Sequence, residues 1–135
     1  MARKIFVNLP VKDLKRSIAY FEKLGFANNK QFTDETAACM VISDEIYTML
    51  LTHDKFREFA PNPIGDAWKS TEVITCLSCD DRAEVTTVVE KALAAGAKRY
   101  GESKDYGFML QDGFQDLDGH IWEFIYMDPS FVQPT

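Results

Sequence analysis

A single carboxylate set among aliphatic residues is the sharpest chemical feature of this 135-residue chain. Glu123 stands between Ile121 and Ile125 in the run His120 to Tyr126. On a strand, residues two apart share a face, so Glu123 is expected among apolar neighbours. A charged carboxylate in such a place must pair, hydrogen-bond or take up a proton at a raised pKa. That behaviour suits a general acid or base, or an anchor for a cationic ligand. If the residue is simply satisfied, Asn8, Tyr47 or a water is the expected partner.

Other candidate chemistry is weaker. Cys76-Leu77-Ser78-Cys79 has the C-x-x-C spacing. Glu72 to Cys79 reads as a strand, on which residues three apart point to opposite faces. The two sulfurs then diverge, and they are expected as small core residues rather than a redox or zinc pair. With Cys39, the count is three, which reads as reduced thiols in a cytoplasm. His53 is expected on the rim at the end of a strand, and His120, in a turn, is expected to face outward. No phosphate-cradling glycine loop, nucleophile elbow or Ser-His-Asp ordering is visible.

Composition narrows the class. Apolar residues are 46% and charged residues 27%, a globular balance. The net charge of −6 argues against nucleic acid and against acidic membranes. No apolar run approaches the roughly 18 residues of a membrane-spanning helix. The basic opening Met1-Ala2-Arg3-Lys4 is followed by an apolar stretch that stops at Asn8 and Pro10, too early for a signal-peptide core. The expected location is cytoplasmic.

The elements that must position Glu123 come in two similar series. Ile5 to Leu9 reads as a strand closed by Pro10. Asp13 caps a helix whose stripe is Leu14, Ile18, Phe21 and Leu24, and Gly25 ends it. Phe26 to Phe32, Thr36 to Ile42 and Ile46 to Thr52 read as strands, and Asp54 to Phe59 as a helical turn. The second half repeats the order. Strand Glu72 to Cys79 leads to a helix capped at Asp80 and Asp81, with Glu84 in the manner of a capping box. Val85, Val88, Val89 and Ala92 form its stripe, and Gly96 ends it. Ala97 to Gly101, Phe108 to Phe114 and His120 to Tyr126 read as three more strands, and Asp112 to Asp118 as a solvated turn. The expected fold class is α+β, from two fused β-α-β-β-β modules in a single domain. Module one spans 4–53, the linker 54–71, module two 72–127, and a loose tail 128–135. Trp68 in the linker is expected to pack on the domain or on a partner subunit.

Two segments carry a family resemblance. Val11-Lys12-Asp13-Leu14-Lys15-Arg16-Ser17-Ile18-Ala19-Tyr20-Phe21, followed by Leu24-Gly25-Phe26, resembles the opening of the glyoxalase / bleomycin-resistance / extradiol-dioxygenase proteins, the vicinal oxygen chelate superfamily. Asp116-Leu117-Asp118-Gly119-His120-Ile121-Trp122-Glu123 resembles that superfamily's closing D-P-D-G-x-x-x-E motif, with Leu117 in place of proline. Phe32 to Thr36 and Asp105 to Met109 are similar to segments of its predicted lactoylglutathione-lyase-related subgroup. The resemblance implies modules that each curl into half a barrel, a curved sheet around a cavity, and a homodimer. It also implies a divalent metal on four inward strand positions, acting as a Lewis acid on neighbouring substrate oxygens.

Placing that pattern on this chain gives Phe6, Met49, Ile74 and Glu123. Three of the four are no hard donors, so no metal ligand and no cofactor is expected. Nickel, zinc or iron would need substitute ligands from Asn8, His53 and Glu72. What is left is an apolar cup lined by Phe6, Asn8, Tyr47, Met49, His53 and Ile74, with Tyr106 in a segment, Tyr106 to Met109, that covers its mouth and hinges at Gly107. Glu123 is the candidate catalytic residue. Two functions follow from the resemblance. One is a small-molecule-binding protein, in its catalytic form an enzyme similar to lactoylglutathione lyases, with Glu123 transferring a proton. The other is a non-catalytic protein that sequesters a drug or metabolite, like the bleomycin-resistance branch, which binds aromatic cationic drugs in an acidic groove.

Overall fold

In the computed structural model, which describes residues 3–131, the chain divides into two units, Met1–Ser70 and Thr71–Thr135. Unit one opens with strand β1 (Ile5–Val11) and helix α1 (Leu14–Lys23). The Asp13 side chain accepts from the Arg16 N–H at 3.1 Å and satisfies one of the free donors of the first turn. Leu14, Phe21 and Leu24 of the predicted stripe are buried, Ile18 is half-buried, and Ser17 and Tyr20 widen the covered face. Gly25 then takes a φ of 104°, which favours glycine.

Strands β2 (Ala27–Asn29), β3 (Ala37–Val41) and β4 (Ile46–Thr52) complete the sheet, followed by helix α2 (His53–Phe59). The order is β1-β4-β3-β2, with β1 parallel to β4 and the other pairs antiparallel. Val11, Phe21, Met40 and Leu50 are buried within this unit.

Unit two runs β5 (Ile74–Ser78), α3 (Arg82–Ala94), β6 (Lys104–Asp105), β7 (Met109–Gln115) and β8 (Ile121–Met127). Its sheet order, β5-β8-β7-β6, reproduces that of unit one, and β5 is again parallel to the last strand. The capping box is present in extended form. Asp81 accepts from the Glu84 N–H at 2.8 Å, while Glu84 accepts in return from the Asp80 N–H at 2.8 Å. All four predicted stripe residues, Val85, Val88, Val89 and Ala92, are buried, as are Phe114, Trp122 and Phe124. Two β-α-β-β-β units are thus the architecture.

Several expectations change. Phe26 to Phe32 is not one strand: β2 gives way to a 3₁₀ turn at Lys30–Phe32, where the Asn29 side chain accepts from the Gln31 N–H at 3.1 Å. His53 does not end β4; it begins α2, because Thr52 caps that helix by accepting from the Lys55 N–H at 3.3 Å. Ala97 to Gly101 forms no strand, only an isolated bridge from Lys98 to Gln115. Asp112 to Gln115 belongs to β7 rather than to a turn, and Asp116 is buried rather than solvated. Cys76 is exposed and not a core residue, and Cys79 is half-buried; all three cysteines are free. Trp68 is 45% exposed, its N–H donating to Asp66 at 2.9 Å in a local turn. The tail is anchored at its start. Asp128 accepts from both Ser130 N and Oγ, and the Phe131 ring stacks on Phe108 at 4.2 Å. The rest of the expected tail, 132–135, lies outside the described residues. Among the described residues no helix is long and apolar enough to cross a membrane.

Candidate functional site

Register places four of the sequence-selected residues together on unit one. Phe6 pairs with Tyr47 and Asn8 with Met49 across β1 and β4. The Phe6 and Tyr47 rings stack at 4.7 Å, an arrangement that adds to the burial of both faces. Asn8 spends its side chain locally, donating from Nδ2 to the Phe6 carbonyl at 3.3 Å. Tyr47 donates to the Asp44 carbonyl at 2.8 Å and receives Lys4 Nζ at 3.5 Å. Both polar groups that were expected to satisfy Glu123 are therefore engaged within their own unit. His53 sits half-buried at the start of α2.

In unit two, Ile74 pairs with Ile121 and is 49% exposed. Tyr106 lies in the tight connection between β6 and β7, which its own N–H closes by donating to the Met109 carbonyl at 2.8 Å. Gly107 there has a φ of 82°, and its N–H donates to Asp105 at 2.9 Å. Arg82, in the first turn of α3, forms an ion pair with Asp105. The segment is thus a pinned hairpin turn, and Tyr106 does not line the cavity described next.

That cavity, of about 170 Å³, is lined by Tyr100, Glu102, Lys104, Gln111, Gly113 and Glu123, together with Gly101 and Asp112. Two of these lining residues meet directly: the Tyr100 hydroxyl donates to Glu123 Oε2 at 3.2 Å. Gly113 makes this contact possible. It faces Glu123 in the β7–β8 register, and a Cβ there would lie 2.6 Å from the Tyr100 hydroxyl and 3.3 Å from Glu123 Cγ. A side chain at 113 would occupy the space the phenol now uses. Burial, reinforced by the charge of Glu123 and by this hydrogen bond, pushes the Tyr100 phenol up to about 12. The phenol therefore stays a donor throughout the neutral range.

The remaining charges of the cavity divide clearly. Arg99 grips Asp112 through two hydrogen bonds, at 2.8 and 3.3 Å, so that carboxylate is neutralised in a forked pair. Glu102 and Glu123 carry no ion pair among the described residues, and Lys104 is the cation of the cavity wall. Cys76 pairs with Glu123 across β5 and β8. Burial and that neighbouring carboxylate raise its thiol above the ordinary value.

The donor set does not fit the divalent metal that the resemblance implies. At the positions the resemblance assigns to the ion, Phe6, Met49 and Ile74 supply no hard ligand beside Glu123. The residues that sequence reasoning missed are Tyr100, Gly113, Gln111, Asp112, Glu102 and Lys104. One signal was available: a glycine in mid-strand marks a place where another group approaches the backbone closely.

Comparison with known proteins agrees with this architecture. Residues 3–43 match the family model described as bleomycin resistance protein-like N-terminal. Among curated proteins none matches the chain. Hypothetical protein SA1046 from S. aureus is 25% identical, with a TM-score of 0.78 over 93% of this chain and 94% of that one. A glyoxalase/bleomycin resistance protein/dioxygenase family enzyme from Burkholderia phytofirmans PsJN superposes with a TM-score of 0.75 at 14% identity, over 93% of this chain and 99% of that one. The fosfomycin resistance protein FosX of Listeria monocytogenes gives 0.67 at 17% identity, over 100% of this chain and 96% of that one. The chain therefore has the fold of the glyoxalase/bleomycin-resistance/dioxygenase proteins, and its opening segment is similar to the N-terminal part of bleomycin resistance proteins.

Proposed function

We propose that this protein binds a small cationic organic molecule in the cavity of its second unit, with Glu123 as the anchor. The observation that carries this reading is the Glu123 carboxylate itself. It lines a cavity and has no basic partner among the described residues; its one hydrogen bond, from Tyr100, comes from a neutral group. A cation brought to that oxygen gains a charge-assisted hydrogen bond in a partly desolvated place. The ring of Tyr100 supplies contact area, and the polar groups of the lining supply orientation. Similarity to a bleomycin resistance protein segment supports the sequestering form of this reading, as does the net charge of −6. A homodimer and a cytoplasmic location belong to the same proposal.

Calorimetric titration with two small ligands tests it. Phenethylamine, a singly charged cation with one ring, is expected to bind, and phenylacetate, the matching anion, is not. Glu123→Gln should weaken phenethylamine about tenfold, the scale of one charge-assisted hydrogen bond. Equal affinity in wild type and Glu123→Gln, or no phenethylamine binding at all, overturns the proposal.

A catalytic reading of the same carboxylate has one observation in its favour. Tyr100 holds Oε2 and stays protonated at neutral pH, while no donor among the described residues reaches Oε1. A carboxylate so held is placed to accept a proton from a bound substrate, as in an enzyme similar to lactoylglutathione lyases. In that case Glu123→Gln abolishes turnover of lactoylglutathione while ligand binding survives. Absence of any turnover by the wild type, with nickel, zinc or iron added, removes this second reading.

A further inference from the structure

A carboxylate presents two oxygens, and which of them are already taken decides what cation it can receive. A planar amidinium or guanidinium offers two parallel N–H groups and binds best when both oxygens are available to its fork. An ammonium is a compact charge that needs only one. In this cavity Tyr100 donates to Glu123 Oε2, and Oε1 has no donor among the described residues. The hydroxyl lies 2.6 Å from the point a Cβ on residue 113 would take, so the phenol reaches this oxygen because residue 113 is glycine. The other carboxylate of the β7 wall, Asp112, shows the contrasting case. Both of its oxygens receive Arg99, at 2.8 and 3.3 Å, and no phenol intervenes.

We propose that Tyr100 is the specificity-determining residue of this site, and that by occupying one oxygen of Glu123 it selects ammonium ligands over amidinium or guanidinium ligands. The inference rests on the reading of Glu123 as a cation anchor and adds the class of cation. The cavity of about 170 Å³ accommodates a ligand of the size of a single substituted ring. Lys104 on the same wall disfavours a second positive charge, so the ligand carries one.

Benzylamine and benzamidine test this directly. They share a ring and a single positive charge, and differ in whether the cation is a point or a fork. Affinities are read by chemical-shift titration of the intact chain. The wild type is expected to prefer benzylamine by about fivefold, the worth of one hydrogen bond. Tyr100→Phe should erase or reverse the preference by freeing Oε2, and Glu123→Gln should weaken both ligands. A second measurement needs no ligand. In protein carrying ¹³C-labelled tyrosine, the Tyr100 phenol should titrate at a lower pH in Glu123→Gln than in wild type. Binding of both probes with an unchanged preference in Tyr100→Phe overturns the inference and leaves the cation anchor standing. Binding of neither probe to the wild type overturns the anchor and the inference with it. An unmoved Tyr100 titration in Glu123→Gln also overturns the inference, because the phenol is then not bonded to the carboxylate.

Discussion

The indole N–H of Trp122 donates to Asp116 Oδ2 at 2.9 Å inside unit two, where both residues are almost wholly buried. The other carboxylate oxygen receives the N–H groups of Asp118 and His120 at 2.9 and 3.0 Å. One acid thus ties the turn between β7 and β8 to the strand that carries Glu123.

Trp122→Phe removes that indole donor and leaves a small void. The cost expected from a buried carboxylate losing a partner is about 2–4 kcal/mol. Urea unfolding measures it. A loss below about 1 kcal/mol would mean that the indole bond does not hold the turn.

The Tyr100 phenol makes high pH destabilising, and the sign follows from proton counting. The folded phenol titrates at about 12, above its ordinary value of 10.0. Between those values the folded chain holds a proton that the unfolded chain has released. Stability is therefore fully present below about pH 10 and declines as pH rises toward 12. Glu123→Gln should lower the phenol without returning it to its ordinary value, since burial is the first cause of the shift. Tyrosinate absorbance against pH, with Tyr100→Phe as the subtraction, checks this.

Gly113→Ala should destabilise by about 1–3 kcal/mol, an overpacking cost. The added Cβ would lie 2.5 Å from the Trp122 carbonyl oxygen, which is backbone and moves only with the sheet. Combining it with Tyr100→Phe should recover only part of the loss, because removing the hydroxyl does nothing for the carbonyl contact. Full recovery in the double variant, measured by thermal unfolding, would place the whole clash at the phenol.

The two glycines that end α1 and α3 separate backbone strain from contact. Gly25 has a φ of 104° with nothing near its missing Cβ, whereas Gly96 has a φ of 112° with Leu117 Cδ2 at 3.0 Å. Gly25→Ala should cost about 1–2 kcal/mol from conformation alone. Gly96→Ala should cost slightly more, since the end of Leu117 must shift. Chemical denaturation of both variants side by side tests the ranking.

The parts of this fold that were legible share a local cause. Asp13, Asp81 and Glu84 satisfy backbone donors within four residues of themselves, so the caps could be read from adjacent letters. Trp122 and Phe124 are buried while Glu123 between them is not, so the alternation of β8 was visible. The segment 97–101 was misread because its side chains answer to distant partners. Arg99 reaches Asp112 and Tyr100 reaches Glu123, 13 and 23 positions away, and those bonds replace a strand ladder. The same distance hid the partner of Glu123. The lone acid could be found from its neighbours, but the phenol that meets it could not. The three-residue link Tyr106 to Phe108 looked like a hinge from Gly107, yet Arg82 and Asp105 hold its base through an ion pair across the sequence.

Cys76 stands across from Glu123, accessible on one side, with its thiol held toward the protonated form by partial burial and by that carboxylate. Since the thiolate is the reactive form, this sulfur should alkylate sluggishly at neutral pH despite its accessibility. Replacing the acid by Gln should quicken the reaction with iodoacetamide. The strand thus carries its own built-in reporter: the speed at which one sulfur takes a label registers whether the charge beside it is present, neutralised or covered.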